Sequence, residues 1–238
     1  MTRTAIVTGA SGGIGRAVAA ELGSDHDVLV HYHRDEAGAR EAAAAVREAG
    51  NEAVVHGCDL SDPDAAASMV EAASAEFDRV DVLVNNAGVF LERGIEEITR
   101  AEIDLEVDVN LKGTVYCTRA VLPEMVAAGG GHVVTVASTS GTNGSPTDPV
   151  YAASKGAGIS LTKSLAQQYT SAGVYANAVA PGPTATPLMR EERRPHLREQ
   201  SPLGRLVDPA EVAEAVRFFA TATAVAGQVV VVDGGWTL

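Results

Sequence analysis

Thr8-Gly9-Ala10-Ser11-Gly12-Gly13-Ile14-Gly15, directly behind the apolar run Ala5-Ile6-Val7, is the stretch from which the fold of this chain can be read. The β-branched run predicts a buried strand, and residues 13–22 carry an apolar stripe at helical spacing. The turn between them is nearly free of side chains. Glycine there permits positive φ and lets a ligand approach the main chain closely. The N–H groups opening the next helix, with its dipole, suit a phosphate. Gly9, Ser11, Gly12, Gly13, Ile14 and Gly15 are therefore candidate dinucleotide contacts. An ordinary tight strand-to-helix turn is the alternative, because G-x-x-x-G-x-G is not the commoner G-x-G-x-x-G spacing.

Outward from that turn, strands alternate with helices. Strands are expected at residues 4–8, 27–32, 51–57, 81–85, 132–138, 174–180 and 228–232. Helices are expected at 13–22, 35–49 (stopped by Gly50), up to residue 77 from Ser61-Asp62-Pro63-Asp64, then at 100–127, 150–172 and 209–220. Strands apolar on both faces, alternating with helices, predict an α/β fold with a parallel sheet covered on both sides. No repeat, low-complexity tract or linker interrupts residues 1–238, so a single domain is expected. Ligands of such sheets sit outside the carboxyl ends of the strands.

Composition narrows the partners. The 31 acidic against 18 basic residues leave a net charge of −13, a poor match for nucleic acid or an anionic membrane. Lysine occurs only at 112, 155 and 163, an acidic, lysine-poor balance that fits a high-salt cytoplasm or a GC-rich genome. Cys58 and Cys117 lie far apart, without metal-ligand spacing, so no metal is expected. Met1-Thr2-Arg3 runs straight into the first strand and no apolar run approaches a membrane span. A soluble cytoplasmic protein without a secretory leader is the expectation.

Polar candidates follow each strand in turn. His33 and Arg34 stand where an acid would grip the ribose of NAD, and suit the 2′-phosphate of NADP instead; a solvated charge facing Asp35 and Glu36 is the alternative for Arg34. In Cys58-Asp59-Leu60, Asp59 is placed to accept from the adenine amino group or to serve a turn. Asn85-Asn86-Ala87-Gly88 forms a compact polar turn at the pocket floor. Ser138 follows the fifth strand, and Tyr151 and Lys155, four apart, share a helical face.

These motifs, with Asn110, Pro181-Gly182 and the closing Val232-Asp233-Gly234-Gly235, resemble in order and spacing the short-chain dehydrogenase/reductase family along the whole chain. The resemblance implies a Rossmann sheet of seven parallel strands in the order 3-2-1-4-5-6-7, and a tetramer or dimer. It also implies that Lys155 holds the nicotinamide ribose and that Asn110 seats a water linking Lys155 to solvent; a kink or cap residue is the alternative for Asn110. Pro181, Gly182, Thr184 and Thr186 match the segment that contacts nicotinamide and phosphates, and residues 187–203 the substrate lid. The lid's charge string from Arg190 to Arg198 suits an anionic substrate tail or a solvated, internally paired helix face.

The chemistry follows from charge. Hydride delivered to a carbonyl carbon leaves charge on oxygen, and that oxygen needs a proton. Tyr151 is the expected acid in reduction and base in oxidation. The Lys155 ammonium and the helix N-terminus are expected to lower its pKa, while Ser138 hydrogen-bonds the carbonyl oxygen. Catalytic candidates are thus Ser138, Tyr151, Lys155 and Asn110. The expected cofactor is NADP(H), with NAD(H) possible in its place, and the NADP choice rests on Arg34 because Gly13 stands where many NADPH-using relatives carry arginine. The expected substrate is a ketone or secondary alcohol, most like a 3-oxoacyl thioester. The alternatives are an alcohol, sugar or steroid dehydrogenase and, in a different class, a catalytically silent nucleotide sensor. Gly129-Gly130-Gly131 and Ser171-Ala172 replace basic residues usual in carrier-protein-dependent reductases, which argues against carrier-protein docking.

Overall fold

The alternation read from the sequence is realised as one parallel sheet. A computed structural model describes residues 2–238. The strands are β1 (Arg3–Val7), β2 (His26–Tyr32), β3 (Ala53–Gly57), β4 (Val82–Asn85), β5 (Gly131–Val136), β6 (Val174–Pro181) and β7 (Val229–Val232). Their order is β3-β2-β1-β4-β5-β6-β7, every pair parallel. The reversal of direction falls between β1 and β4, where Ala5 faces Val82 and Val7 faces Val84. The crevice beyond those two strand ends is the expected ligand site of a doubly wound sheet.

Helices cover both faces. The helices α1 (Gly13–Leu22), α2 (Glu36–Glu48) and α9 (Pro209–Thr221) pack on one side, where Val18, Leu22, Val46 and Phe219 are fully buried. On the other side lie α3 (Pro63–Phe77), α5 (Thr114–Ala127) and α7 (Pro149–Tyr169), burying Met69, Leu83 and Met125. Each such large apolar side chain contributes roughly 1.5–3 kcal/mol of transfer free energy. Among the described residues, no helix is long and apolar enough to cross a membrane.

Two expectations about the elements are corrected. The single helix over 100–127 is three segments: α4 (Arg100–Val107), a π-helical stretch Asp108–Gly113, and α5. The wider turn leaves carbonyls off the regular ladder, and Thr114 Oγ1 donates to the Asn110 carbonyl at 2.9 Å. β5 ends at Val136 rather than at Ser138, although Ala137 and Thr139 still donate to Val179 and Pro181. That irregular exit feeds a short helix, α6 (Ser140–Asn143). The last helix of the 187–203 segment is α8 (Arg194–Gln200), preceded by a 3-10 turn at Glu191–Arg193.

Candidate active site

The glycine turn is fixed from below by three side chains, Thr8, Asn86 and His31, of which the sequence reading singled out only Asn86. Thr8 Oγ1 donates to the Val84 carbonyl (3.1 Å) and accepts from the N–H groups of Asn86 (2.9 Å) and Ala87 (3.0 Å). Asn86 Nδ2 returns bonds to the carbonyls of Thr8 (2.8 Å) and Gly9 (3.1 Å). His31, buried in β2, accepts the Gly9 N–H on Nδ1 (3.0 Å), so Nε2 carries the proton and donates to the Cys58 carbonyl (3.1 Å). Burial pushes the His31 pKa down to about 4, so this bridge is neutral. A histidine inside an apolar strand gives no spacing signal, which is why sequence reasoning passed over it.

The cradle itself fits a dinucleotide. Gly9 has φ +63°, and a Cβ at Gly15 would lie 2.3 Å from the Gly9 carbonyl oxygen, so neither position accepts a side chain. Gly12, by contrast, faces open space and caps α1 with no side-chain hydrogen bond. The long helices α2, α3, α7 and α9 are capped by Asp35, Asp62, Asp148 and Asp208. The first-turn N–H groups of α1 are thus left for an anion. Ile14 packs into the core beside them, and Ser11 offers its carbonyl to Arg16 Nη2 at 2.7 Å. Pro181 ends β6, Gly182 donates to Val232, Thr184 Oγ1 donates to the Gly182 carbonyl at 2.9 Å, and Thr186 packs against Gly13.

At the outer end, His33 and Arg34 are exposed. Asp35 caps α2 through Gly38 N and Glu36 pairs with Arg40, so the expected neighbours of Arg34 are engaged elsewhere. Among the described residues Arg34 makes no ion pair. Asp59 divides its two oxygens: Oδ1 accepts from Ser61 N (3.0 Å) and Oγ (2.8 Å), while Oδ2 lies 3.8 Å from His33 Nε2. The Leu60 side chain is buried in the core, which leaves only its backbone for a ligand.

At the inner end, Ser138, Lys155 and Asn110 are all buried. Ser138 Oγ accepts from Ser140 N at 3.1 Å, which leaves its O–H free to donate. The Tyr151 ring packs edge-on to Phe90, centroids 4.9 Å apart. Lys155 Nζ donates to the Val136 carbonyl (3.0 Å) and lies 5.7 Å from the Tyr151 ring centroid. Asn110 sits in the π-helical stretch. Its Oδ1 accepts from Val89 N (2.7 Å), and its Nδ2 donates to Val89 O (2.9 Å) and Ser154 Oγ (3.1 Å). A Cβ at Gly88 would meet Asn110 Oδ1 at 3.1 Å and Lys155 Nζ at 3.2 Å, so this glycine lets the two approach.

The electrostatics reverse one expectation. The Tyr151 phenol is pushed up to about 12, chiefly by burial, with Ser138 pulling down and Asp148 and Glu106 pushing up. Burial also pushes Lys155 down to about 8. The Lys155 ammonium is turned toward Val136, and the Asp148 carboxylate at the start of α7 opposes the helix dipole there. The phenol is therefore firmly protonated, the state a proton donor requires.

Among the described residues, three of the four arginines in the segment 187–203 are paired, and Arg198 is not. Glu92 takes Arg190 at 3.0 Å and Arg193 at 2.8 Å, and Arg194 pairs with Glu191 at 3.2 Å. Glu92 itself has φ +59°, an uncommon conformation for a residue with a side chain.

Comparison with known proteins agrees with this geometry. A family model described as short chain dehydrogenase matches residues 3–197. The cis-4-hydroxycyclohexanecarboxylate dehydrogenase of Sinomonas cyclohexanicum is 38% identical over 241 residues, which span 99% of this chain and 96% of that protein. The 3-oxoacyl-(acyl-carrier-protein) reductase FabG of Staphylococcus aureus is 35% identical over 245 residues, 99% of this chain and 98% of that one. A crystal structure from Sinorhizobium meliloti 1021, assigned to the short-chain alcohol dehydrogenases, superposes with a TM-score of 0.93 at 32% identity, covering 98% of this chain and 96% of the other.

Proposed function

Because the chain belongs to the short-chain dehydrogenase family, an NAD(P)-dependent oxidoreductase family acting on CH–OH and C=O groups, we propose that it reduces a ketone with NADPH through Tyr151, Ser138, Lys155 and Asn110. The observation that carries this reading is the convergence of a protonated phenol, a free serine O–H and a buried lysine beside the glycine cradle. The nicotinamide supplies the hydride when bound. Tyr151 gives its proton to the oxygen on which charge develops, and Ser138 donates a hydrogen bond to the same oxygen. Lys155 holds the ribose hydroxyls from the floor of the cleft, and Asn110 keeps the Gly88-Val89 segment from closing over it. Gly9, Ser11, Gly12, Gly13, Ile14 and Gly15 would hold the phosphates. Asn86, Ala87, Gly88, Pro181, Gly182, Thr184 and Thr186 would line the path to the ring, and Asp59 with the Leu60 backbone would meet the adenine. Arg34, with no ion-pair partner among the described residues, and His33 favour the extra phosphate of NADP over NAD.

For the substrate, the Phe90 wall against Tyr151 favours an apolar carbon chain beside the carbonyl, as in a 3-oxoacyl thioester. A second reading, oxidation of a ring alcohol, is favoured by the 38% identity to the Sinomonas dehydrogenase. Residues 187–203 act as the lid, held by the Glu92 ion pairs. Exposed Val115 and Val126 on α5, and Val230 and Val231 on β7, favour assembly into a tetramer or dimer. Initial rates on a panel of 3-oxoacyl thioesters, simple ketones and ring alcohols, each with NADPH/NADP and NADH/NAD, test the assignment. Faster ketone reduction with NADPH is expected. A panel oxidised only as alcohols with NAD would overturn the direction and the cofactor preference.

A further inference from the structure

A buried pair of carboxylates stands behind Tyr151, and beyond the Asp148 cap on α7 no role above uses it. Glu106, on α4, is fully buried, as is Asp148 at the start of α7. Asp148 Oδ1 accepts the Tyr151 N–H at 3.1 Å, and Oδ2 accepts the Glu92 N–H at 2.9 Å. Asp148 thus ties the first turn of the Tyr151 helix to the loop whose Glu92 side chain grips the lid arginines. Glu106 Oε1 accepts the Leu91 N–H at 3.1 Å, while Oε2 is buried with no donor facing it. A carboxylate oxygen buried without a donor is costly, and the group avoids the cost by keeping a proton.

Resting on the reading of Tyr151 as proton donor, we propose that Glu106 is a positioning residue. It is held protonated and donates an O–H···O hydrogen bond from Oε2 to the Asp148 carboxylate, completing a clamp that seats the Tyr151 helix start and the Glu92 loop together.

The surroundings support that protonation. Burial, followed by Asp148, pushes Glu106 up to about 7. From its own helix Glu102 adds negative charge, and from the start of α7 come Asp148 and the neutral Tyr151 phenol. The loop contributes Glu92, bound to Arg190 and Arg193, and Arg93, bound to Glu102 at 3.0 Å. The adjoining π-helical stretch contributes Asp108, paired with Lys112 at 2.6 Å, and farther along α7 Lys155 turns to Val136. Among the described residues, no cation pairs with Glu106 or Asp148. When Glu106 releases its proton to solvent, two buried anions face each other. Asp148 must then slacken its hold on Tyr151 N or Glu92 N, and the added charge makes the phenol a still weaker donor.

The test compares the wild type with Glu106→Gln, whose amide N–H donates to Asp148 at every pH, and with Glu106→Leu, which cannot donate. In ketone reduction, wild-type kcat is expected to fall about tenfold as pH rises through neutrality. Glu106→Gln should keep wild-type kcat at pH 6 within about threefold and lose that inflection, while Glu106→Leu should be slow throughout. Superimposable wild-type and Glu106→Gln profiles would overturn the proposal. An activity-independent readout accompanies them: the protonated-carboxyl stretch in the infrared spectrum of the folded protein at pH 6, absent in Glu106→Gln. If the wild type reduces nothing on the panel, the oxidoreductase reading fails; the infrared band then decides the clamp by itself, its presence upholding it and its absence refuting it.

Discussion

The two ends of the cleft are built by different means. The cofactor end is a backbone structure: Thr8, Asn86 and neutral His31 pin a turn whose ligand-facing surface is peptide N–H and open glycine. The substrate end is built of ionisable side chains: Glu92 pairs with Arg190 and Arg193, Asp148 ties the Glu92 loop to the start of α7, and Glu106 holds Leu91 N beside them. The first arrangement serves any dinucleotide-binding relative, because it recognises groups every such cofactor carries. The second rests on ion pairs and buried carboxylates, and on the proposal above its strength depends on protonation. A protein can hold its cofactor by geometry while adjusting its substrate end through ionisation.

The sharpest way to break this contrast is Gly15→Ala. Its Cβ would fall 2.3 Å from the Gly9 oxygen and 2.4 Å from Asn86 Nδ2, so the turn must shift. Dinucleotide affinity, measured by calorimetry, is expected to drop by about 3 kcal/mol, in the range of overpacking costs. An unchanged Kd would show that the turn is not a rigid backbone device.

Next in size is the dependence of folding stability on pH. His31 falls from 6.5 to about 4 on folding, so the unfolded chain binds the extra proton first, and stability is lost as pH drops from about 6.5 toward 4. Glu106 rises from 4.5 to about 7, so the folded chain keeps a proton the unfolded one releases, and stability is lost as pH climbs through that window. Thermal unfolding of His31→Gln should show a flatter acid limb and Glu106→Gln a flatter limb toward neutral pH, each by about 1–3 kcal/mol. Parallel wild-type and variant curves on either limb would remove the electrostatic distinction between the two ends.

The smallest effect belongs to Arg34→Ala. It should weaken NADP by about tenfold, roughly 1.4 kcal/mol, and leave NAD unchanged. Equal losses for both cofactors would reassign Arg34 to general attraction.

The same division governs what could be read from sequence. Glycine placement and β-branched runs report backbone requirements directly, so the strands and the tight turn after the first were legible from the residues, whereas the strand order came only through the family resemblance. The interruption at Asp108–Gly113 was not, because a few residues of wider helix do not disturb the periodicity of a stretch that is apolar and charged by turns. Glu106 sits in Arg100-Ala101-Glu102-Ile103-Asp104-Leu105-Glu106, where an acidic residue reads as solvated, and only the fold brings it against Asp148. The direction of the Tyr151 pKa was misread for a related reason. Four-residue spacing places Lys155 on the same face but says nothing of how deeply the phenol is buried or where Nζ points.

Single-turnover reduction by Tyr151→Phe, with its dinucleotide Kd measured on the same sample, tests the proposed chemistry most directly. The rate is expected to fall by about 10²–10⁴ while Kd stays within about threefold, because only the proton donor is removed. A variant that reduces ketone at the wild-type rate would contradict the assignment of Tyr151 as the acid.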